Sequence, residues 1–116
     1  MRNDLRDRLF WFAINVIRLT KKLPQGKEMD VIKYQLVKAA TSSGANYEEA
    51  QAAYSRADFG LKIGISLKEI RETNYWLRIL TELLKSNEEI SDLCSESREL
   101  MLVLGSIASK TGKSKN

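Results

Sequence analysis

Two carboxylate pairs in this 116-residue chain, Glu69 with Glu72 and Glu96 with Glu99, have the E-x-x-E spacing that sets two acids near one another on a helix. On facing helices such pairs could hold a magnesium ion and hydrolyse a nucleotide. The apolar residues between them oppose convergence. If Ile63 and Ile70 face the core, Glu69 and Glu72 fall on the flank and the outside of their helix, and Glu96 and Glu99 fall similarly on theirs. The acids are then expected to pair with Lys68, Arg71 or a base on a neighbouring helix. The chain has no histidine, which removes the commonest general base and the usual Ser-His and Cys-His nucleophile pairs. Gly60 and Gly64 lack the lysine and hydroxyl residue of a phosphate loop. Cys94 is the single cysteine; it cannot form an internal disulfide and reads as a small core residue of a reducing, cytoplasmic compartment. No catalytic residue, metal site or cofactor is expected.

Binding chemistry has a stronger basis. Arg18, Lys21, Lys22 and Lys27 cluster around one helix connection, Lys33 and Lys38 follow, and Lys110, Lys113 and Lys115 stand near the C-terminus. Each could neutralise a nucleic-acid phosphate, although a single surface lysine is ordinarily just solvated. The net charge of +4 overstates the basicity of the body, because residues 1–109 carry 16 basic and 15 acidic side chains. That body is polarised. Residues 1–47 hold nine bases and four acids, whereas Glu82, Glu88, Glu89, Asp92, Glu96 and Glu99 outweigh Lys85 and Arg98 further on.

The elements that would position these groups are helices. Leu5, Leu9, Phe12, Val16 and Leu19 alternate at spacings of four and three, predicting a first helix from residue 3 or 4 to 22. Leu23-Pro24-Gln25-Gly26 ends it. A second helix is expected from 27–30 to about 53, with a seam of Ile32, Gln35 or Leu36, Ala39, Ser43, Asn46 and Ala50. Its later half is rich in small residues, which permits close packing against Gly60 and Gly64 of the next helix or else a break at Gly44. Ser55-Arg56-Ala57-Asp58 is a capping box, and it opens the clearest heptad of the chain: Phe59, Ile63, Ser66, Ile70, Thr73, Leu77, Leu80 and Leu84. Ser86-Asn87-Glu88-Glu89 caps a fourth helix with Ile90, Leu93, Ser97, Leu100, Leu104 and Ile107 inward. Short connections make consecutive helices antiparallel. The fold class is therefore all-α, an antiparallel up-down four-helix bundle over 1–109, with 110–116 a flexible basic tail.

The first helix has more apolar surface than one seam needs. Phe10, Ala13, Ile14 and Ile17 form a second stripe, which Trp11 widens, and an excess of this kind points to association. Phe10, Trp11, Ile14 and Ile17, with Tyr75 and Trp76 outside the seam of helix three, are the candidate oligomer interface. The apolar run is no export signal, since Asp4 and Asp7 precede it and no small-residue cleavage site follows. No segment has the roughly 18 apolar residues of a membrane span.

Ser42-Ser43-Gly44-Ala45-Asn46-Tyr47-Glu48-Glu49-Ala50, then Asp58-Phe59, then the run from Ile65 through Glu69, Glu72, Thr73 and Asn74 to Leu77, resemble the four-helix-bundle protein family encoded in intervening sequences of large-subunit ribosomal RNA genes. The accessory variability protein of diversity-generating retroelements is a relative. The resemblance covers nearly the whole chain and is strongest over 42–80. It implies a bundle that assembles into a pentameric ring, with a positive surface that meets RNA, DNA or a reverse transcriptase. Asn46, Glu49, Phe59, Glu69 and Glu72 are the matching motif positions and carry structural duties, Asn46 and Glu49 capping or bridging helices two and three. Tyr47 and Ala50-Gln51 depart from the isoleucine and glycine common in the family. The expectation is a non-enzymatic, ring-forming scaffold for nucleic acid or a nucleic-acid enzyme. The alternatives are a purely protein-protein module, its basic half set against its acidic half, and, remotely, a metal-dependent nucleotide hydrolase.

Overall fold

The computed structural model describes residues 4–114, with side chains through Thr111. It contains four helices, α1 (Asp4–Thr20), α2 (Lys27–Gln51), α3 (Arg56–Leu83) and α4 (Glu88–Ser114). Cross-helix contacts fix them as antiparallel neighbours: Ser43 meets Ser66 and Glu49 meets Lys62, Asn74 meets Ser97, and Lys22 meets Glu89. α2 packs on α3, α3 on α4 and α1 on both α2 and α4, while the diagonal pairs α1–α3 and α2–α4 bring no Cα atoms within 8 Å of one another among the described residues. This is the up-down four-helix bundle, 46 Å long.

The seams read from the sequence are the core. Leu9, Phe12, Val16 and Leu19 of α1, Ile63, Ser66, Ile70, Thr73, Leu77 and Leu80 of α3, and Ile90, Leu93, Ser97, Leu100 and Leu104 of α4 are buried. On α2 the seam takes Tyr47 in place of Asn46: the phenol ring removes far more apolar surface from water than an amide does, and Asn46 turns its amide back to the Ser42 carbonyl and hydroxyl, 2.9 and 3.2 Å away. α2 runs unbroken through Gly44. α1 packs against it there: a Cβ at Gly44 would lie 3.6 Å from the Leu9 Cβ and carbonyl oxygen, an ordinary van der Waals contact. The close approach expected at Gly64 of α3 is absent, since nothing lies within 4 Å of a Cβ there. What draws α2 and α3 together is a reciprocal serine pair. Ser43 Oγ donates to the Ser66 carbonyl at 2.9 Å, and Ser66 Oγ donates to the Ser43 carbonyl at 2.7 Å.

The ends follow local chemistry. Leu23 is buried and its amide bonds the Thr20 carbonyl, closing α1. Gly26 precedes α2 at φ 142°, a conformation closed to side chains with a Cβ. Ser55 Oγ accepts from the Asp58 amide and Asn87 Oδ1 from the Ile90 amide, capping α3 and α4. α4 departs from expectation at its other end: it continues as helix to Ser114, where sequence predicted a mobile tail from 110. Ile107 and Ala108 still pack on the core, and the Thr111 hydroxyl bonds the Ile107 carbonyl. A lysine such as Lys110 also suits the negative end of the helix dipole.

Candidate functional site

The basic residues singled out by sequence do not form one patch. Arg18, Lys21, Lys22 and Lys27 are exposed at the α1–α2 corner, where Lys22 is held by Glu89 at 3.2 Å. Lys33 and Lys38 lie on an unbroken helix five residues apart, and so point about 140° away from one another; Lys33 is half-buried and Lys38 exposed. Lys110 is exposed on the last turns of α4. The Lys113 side chain and all of Lys115 lie outside the described residues.

The candidate interface residues are split between diagonal helices. Phe10 and Trp11 are 51% and 53% exposed and meet edge to face, with ring centroids 5.5 Å apart. Ile14 and Ile17 are half-buried beside them. With Ala13 on α1 and Thr41, Ala45 and Glu48 on α2, Phe10, Ile14 and Ile17 line a groove of about 460 Å³, whereas Trp11 lies on the α1–α4 side with Arg8, Asn15 and Asp92. On α3, Trp76 is half-buried and donates Nε1 to Glu72 at 3.1 Å. It belongs to an outer stripe with Ile65 and Ile79 that ends in two leucines, Leu61 and Leu83, both more than half exposed. Tyr75 stands beside Trp76, the two rings edge to face with centroids 5.2 Å apart, and the Tyr75 ring is 5.8 Å from the Arg78 guanidinium carbon.

The carboxylate pairs have different partners. Arg8 of α1 donates Nε and Nη2 to the two Glu96 oxygens at 3.0 and 2.8 Å, and Nη2 also reaches Glu99 at 3.3 Å. The forked hydrogen bond to Glu96 raises the Arg8 pKa above its usual value against a smaller loss from burial. Glu72 is turned to Trp76 instead, and among the described residues no three acidic or cysteine side chains gather as metal ligands would. Of the motif positions, Glu49 bridges α2 to α3 through Lys62 at 2.7 Å, whereas Asn46 bonds Ser42 of its own helix and Phe59 packs on the core.

A polar cluster between α3 and α4 escaped the sequence reading. Asn74 and Cys94 are buried; the Asn74 amide donates to Ser97 Oγ at 2.9 Å, and Ser97 Oγ donates to the Cys94 carbonyl at 2.7 Å. Arg78 Nε bonds Asn74 Oδ1 at 2.9 Å, and Arg98 Nη1 lies 3.3 Å from Cys94 Sγ. The signal that could have found part of it is the run Lys68, Arg71, Tyr75, Arg78 at spacings of three, four and three, a ridge opposite the heptad seam. All four residues are exposed.

No described helix is long and apolar enough to cross a membrane. No curated protein matches the chain. A solved structure from Bacteroides thetaiotaomicron, of a protein of unknown function from the S23 ribosomal protein family, is similar over 90% of this chain and 97% of its own, at 36% identity and a TM-score of 0.81. The family model for the 23S rRNA-intervening sequence protein matches residues 2–106. On these residues and this bundle, the chain belongs to the 23S rRNA-intervening sequence protein family.

Proposed function

We propose that the protein is a non-enzymatic cytoplasmic scaffold, assembled from several copies into a closed ring, that holds nucleic acid or a nucleic-acid enzyme such as a reverse transcriptase through repeated basic patches. One observation carries the reading: two apolar faces lie on diagonally opposed helices, Phe10, Trp11, Ile14 and Ile17 on α1 and Leu61, Trp76 and Leu83 on α3. A pair of copies using one self-complementary patch needs only one such face. Two different faces suit head-to-tail contacts, which generate rings when the rotation closes. The family resemblance supports five copies as the size of the ring. In a ring the exposed corner of Arg18, Lys21 and Lys27 is repeated around the axis, and contacts that are weak singly add through multivalency.

The purely protein-protein alternative draws its support from the charge polarity of the chain, and that polarity is partly neutralised within each copy, by Lys22 on Glu89 and by Arg8 on Glu96 and Glu99. Light scattering on the eluting protein at micromolar concentration tests the ring. A multimer that becomes monomeric on Phe10→Glu is expected; a wild-type monomer refutes it. RNA binding should weaken steeply between 50 and 300 mM salt, and salt-indifferent binding would exclude phosphate contacts.

A further inference from the structure

Between α3 and α4 the surface opens into a groove of about 350 Å³ lined by Arg78, Thr81, Glu82, Ser91, Cys94 and Arg98. One arginine enters it from each helix. Both are anchored from below by buried atoms, Arg78 through Asn74 Oδ1 and Arg98 through Cys94 Sγ, and Ser97 ties those two anchors together. The anchors engage only part of each guanidinium, which has five donors in a planar fork. Neither arginine is in an ion pair among the described residues, and Glu82 at the rim is engaged with Lys85 at 3.3 Å. Glu82 is the one carboxylate among the residues lining the groove and it is turned to Lys85, so the two permanent positive charges have no acidic partner there, an arrangement that an anion would relieve.

The surroundings narrow the anion. Tyr75 is 48% exposed, with the Arg78 guanidinium over its ring and the Trp76 ring edge to face with it, so a partly open aromatic surface adjoins the charged fork. Lys68 and Arg71 continue the positive ridge along α3, also without ion pairs among the described residues. A charged fork next to an exposed aromatic ring suits a phosphate joined to a base, and the base must be unstacked from its own strand to reach the ring.

We propose that the α3–α4 groove binds single-stranded nucleic acid, Arg78 and Arg98 gripping one backbone phosphate while Tyr75 stacks on the adjoining base. The site rests on the nucleic-acid half of the proposed function, needs no ring, and lies on a different surface from the α1–α2 corner.

The test is fluorescence anisotropy of a short labelled single-stranded RNA, with inorganic phosphate as the competing simple anion. It uses the wild type, Arg78→Gln/Arg98→Gln, Tyr75→Ala, and a corner variant, Arg18→Gln/Lys21→Gln. Loss of both arginines should weaken binding about tenfold or more at low salt. The slope of log affinity against log salt should shrink by about 0.7, the value for one phosphate on a single strand. Tyr75→Ala, a change at a half-exposed ring whose described aromatic contact is the edge of Trp76, should weaken binding about tenfold with the slope unchanged. Arginine and tyrosine variants that bind as the wild type does, beside a corner variant that loses binding, overturn the groove and leave the broader reading standing. A wild type that binds no RNA overturns both. Inorganic phosphate that displaces the RNA at equal concentration, with Tyr75→Ala silent, overturns the assignment to nucleic acid.

Discussion

Replacing Ser66 tests what sets the distance between α2 and α3. Ser43 and Ser66 are both fully buried, and their hydroxyls lie 3.2 Å apart. Each hydroxyl donates to the other helix's carbonyl. Ser66→Ala deletes one donor but strands no buried donor, because Ser43 Oγ can still reach the Ser66 carbonyl, and the Ser43 carbonyl lies within α2, where helical bonding satisfies it. The loss is that of one neutral hydrogen bond, about 1 kcal/mol. Ser66→Val is a different perturbation. A methyl carbon would stand where an oxygen now lies 2.7 Å from a carbonyl oxygen, and carbon contacts need roughly 3.5 Å. The helices must separate or the side chain must leave its rotamer, adding about 1–3 kcal/mol to the lost bond. Urea denaturation at fixed protein concentration, so that any assembly contributes equally, reads both variants as shifts of midpoint at constant m. A valine variant within about 0.5 kcal/mol of the alanine variant would refute the reasoning. The serine pair would then be a passenger in an interface whose spacing something else determines.

Gly44 and Lys62 give two further expectations. Gly44→Ala places its Cβ in ordinary contact with Leu9, at 3.6 Å, and should stabilise the bundle by up to about 1 kcal/mol through helix propensity; a melting temperature lowered by alanine would mean that α1 sits closer than described. Lys62 has a pKa raised above the ordinary lysine value, first by its hydrogen bond to Glu49 and then by the attraction between their charges. A raised lysine holds its proton more tightly folded than unfolded, so its contribution is whole below about pH 10.5 and is lost as pH climbs through the folded value. Glu49→Gln should return the Lys62 titration, followed by NMR, towards the ordinary value; an unmoved titration would mean that the pair does not persist in solution.

Spacing alone revealed which side of each helix is inward. Leu9, Phe12, Val16 and Leu19 on α1 and the long heptad of α3 repeat at three and four residues, and burial follows that rhythm because a packed helix buries one stripe. The caps at Ser55 and Asn87 were legible for the same local reason. Spacing says less about which neighbour a flank will meet. Gly44 was read against α3 and faces α1 instead. Arg8 finds Glu96 across 88 residues of sequence, a pairing no periodicity encodes. Asn46 and Tyr47 are adjacent candidates for one inward position, and only the packed core chooses the ring. The Arg78 and Arg98 groove was missed because its members belong to two helices, each looking like an ordinary solvated charge on its own.

The shortness of α1, 17 residues beside partners of 25 to 28, bears on how the chain finds its shape. The α2–α3 and α3–α4 hairpins close through loops of a few residues, and their serine and asparagine contacts join positions 23 apart. Docking α1 on α4 must close nearly the whole chain for a shorter and sparser contact. Local contacts form early and distant ones late, since chain entropy must be lost before the distant contact repays it. By this rule the α1–α4 seam is expected to be the last contact to form and the first to open, leaving α1 held through its hairpin with α2. The helix carrying Phe10 and Trp11 is thus the least firmly held in an isolated protomer, and the one that a neighbouring copy would do most to secure.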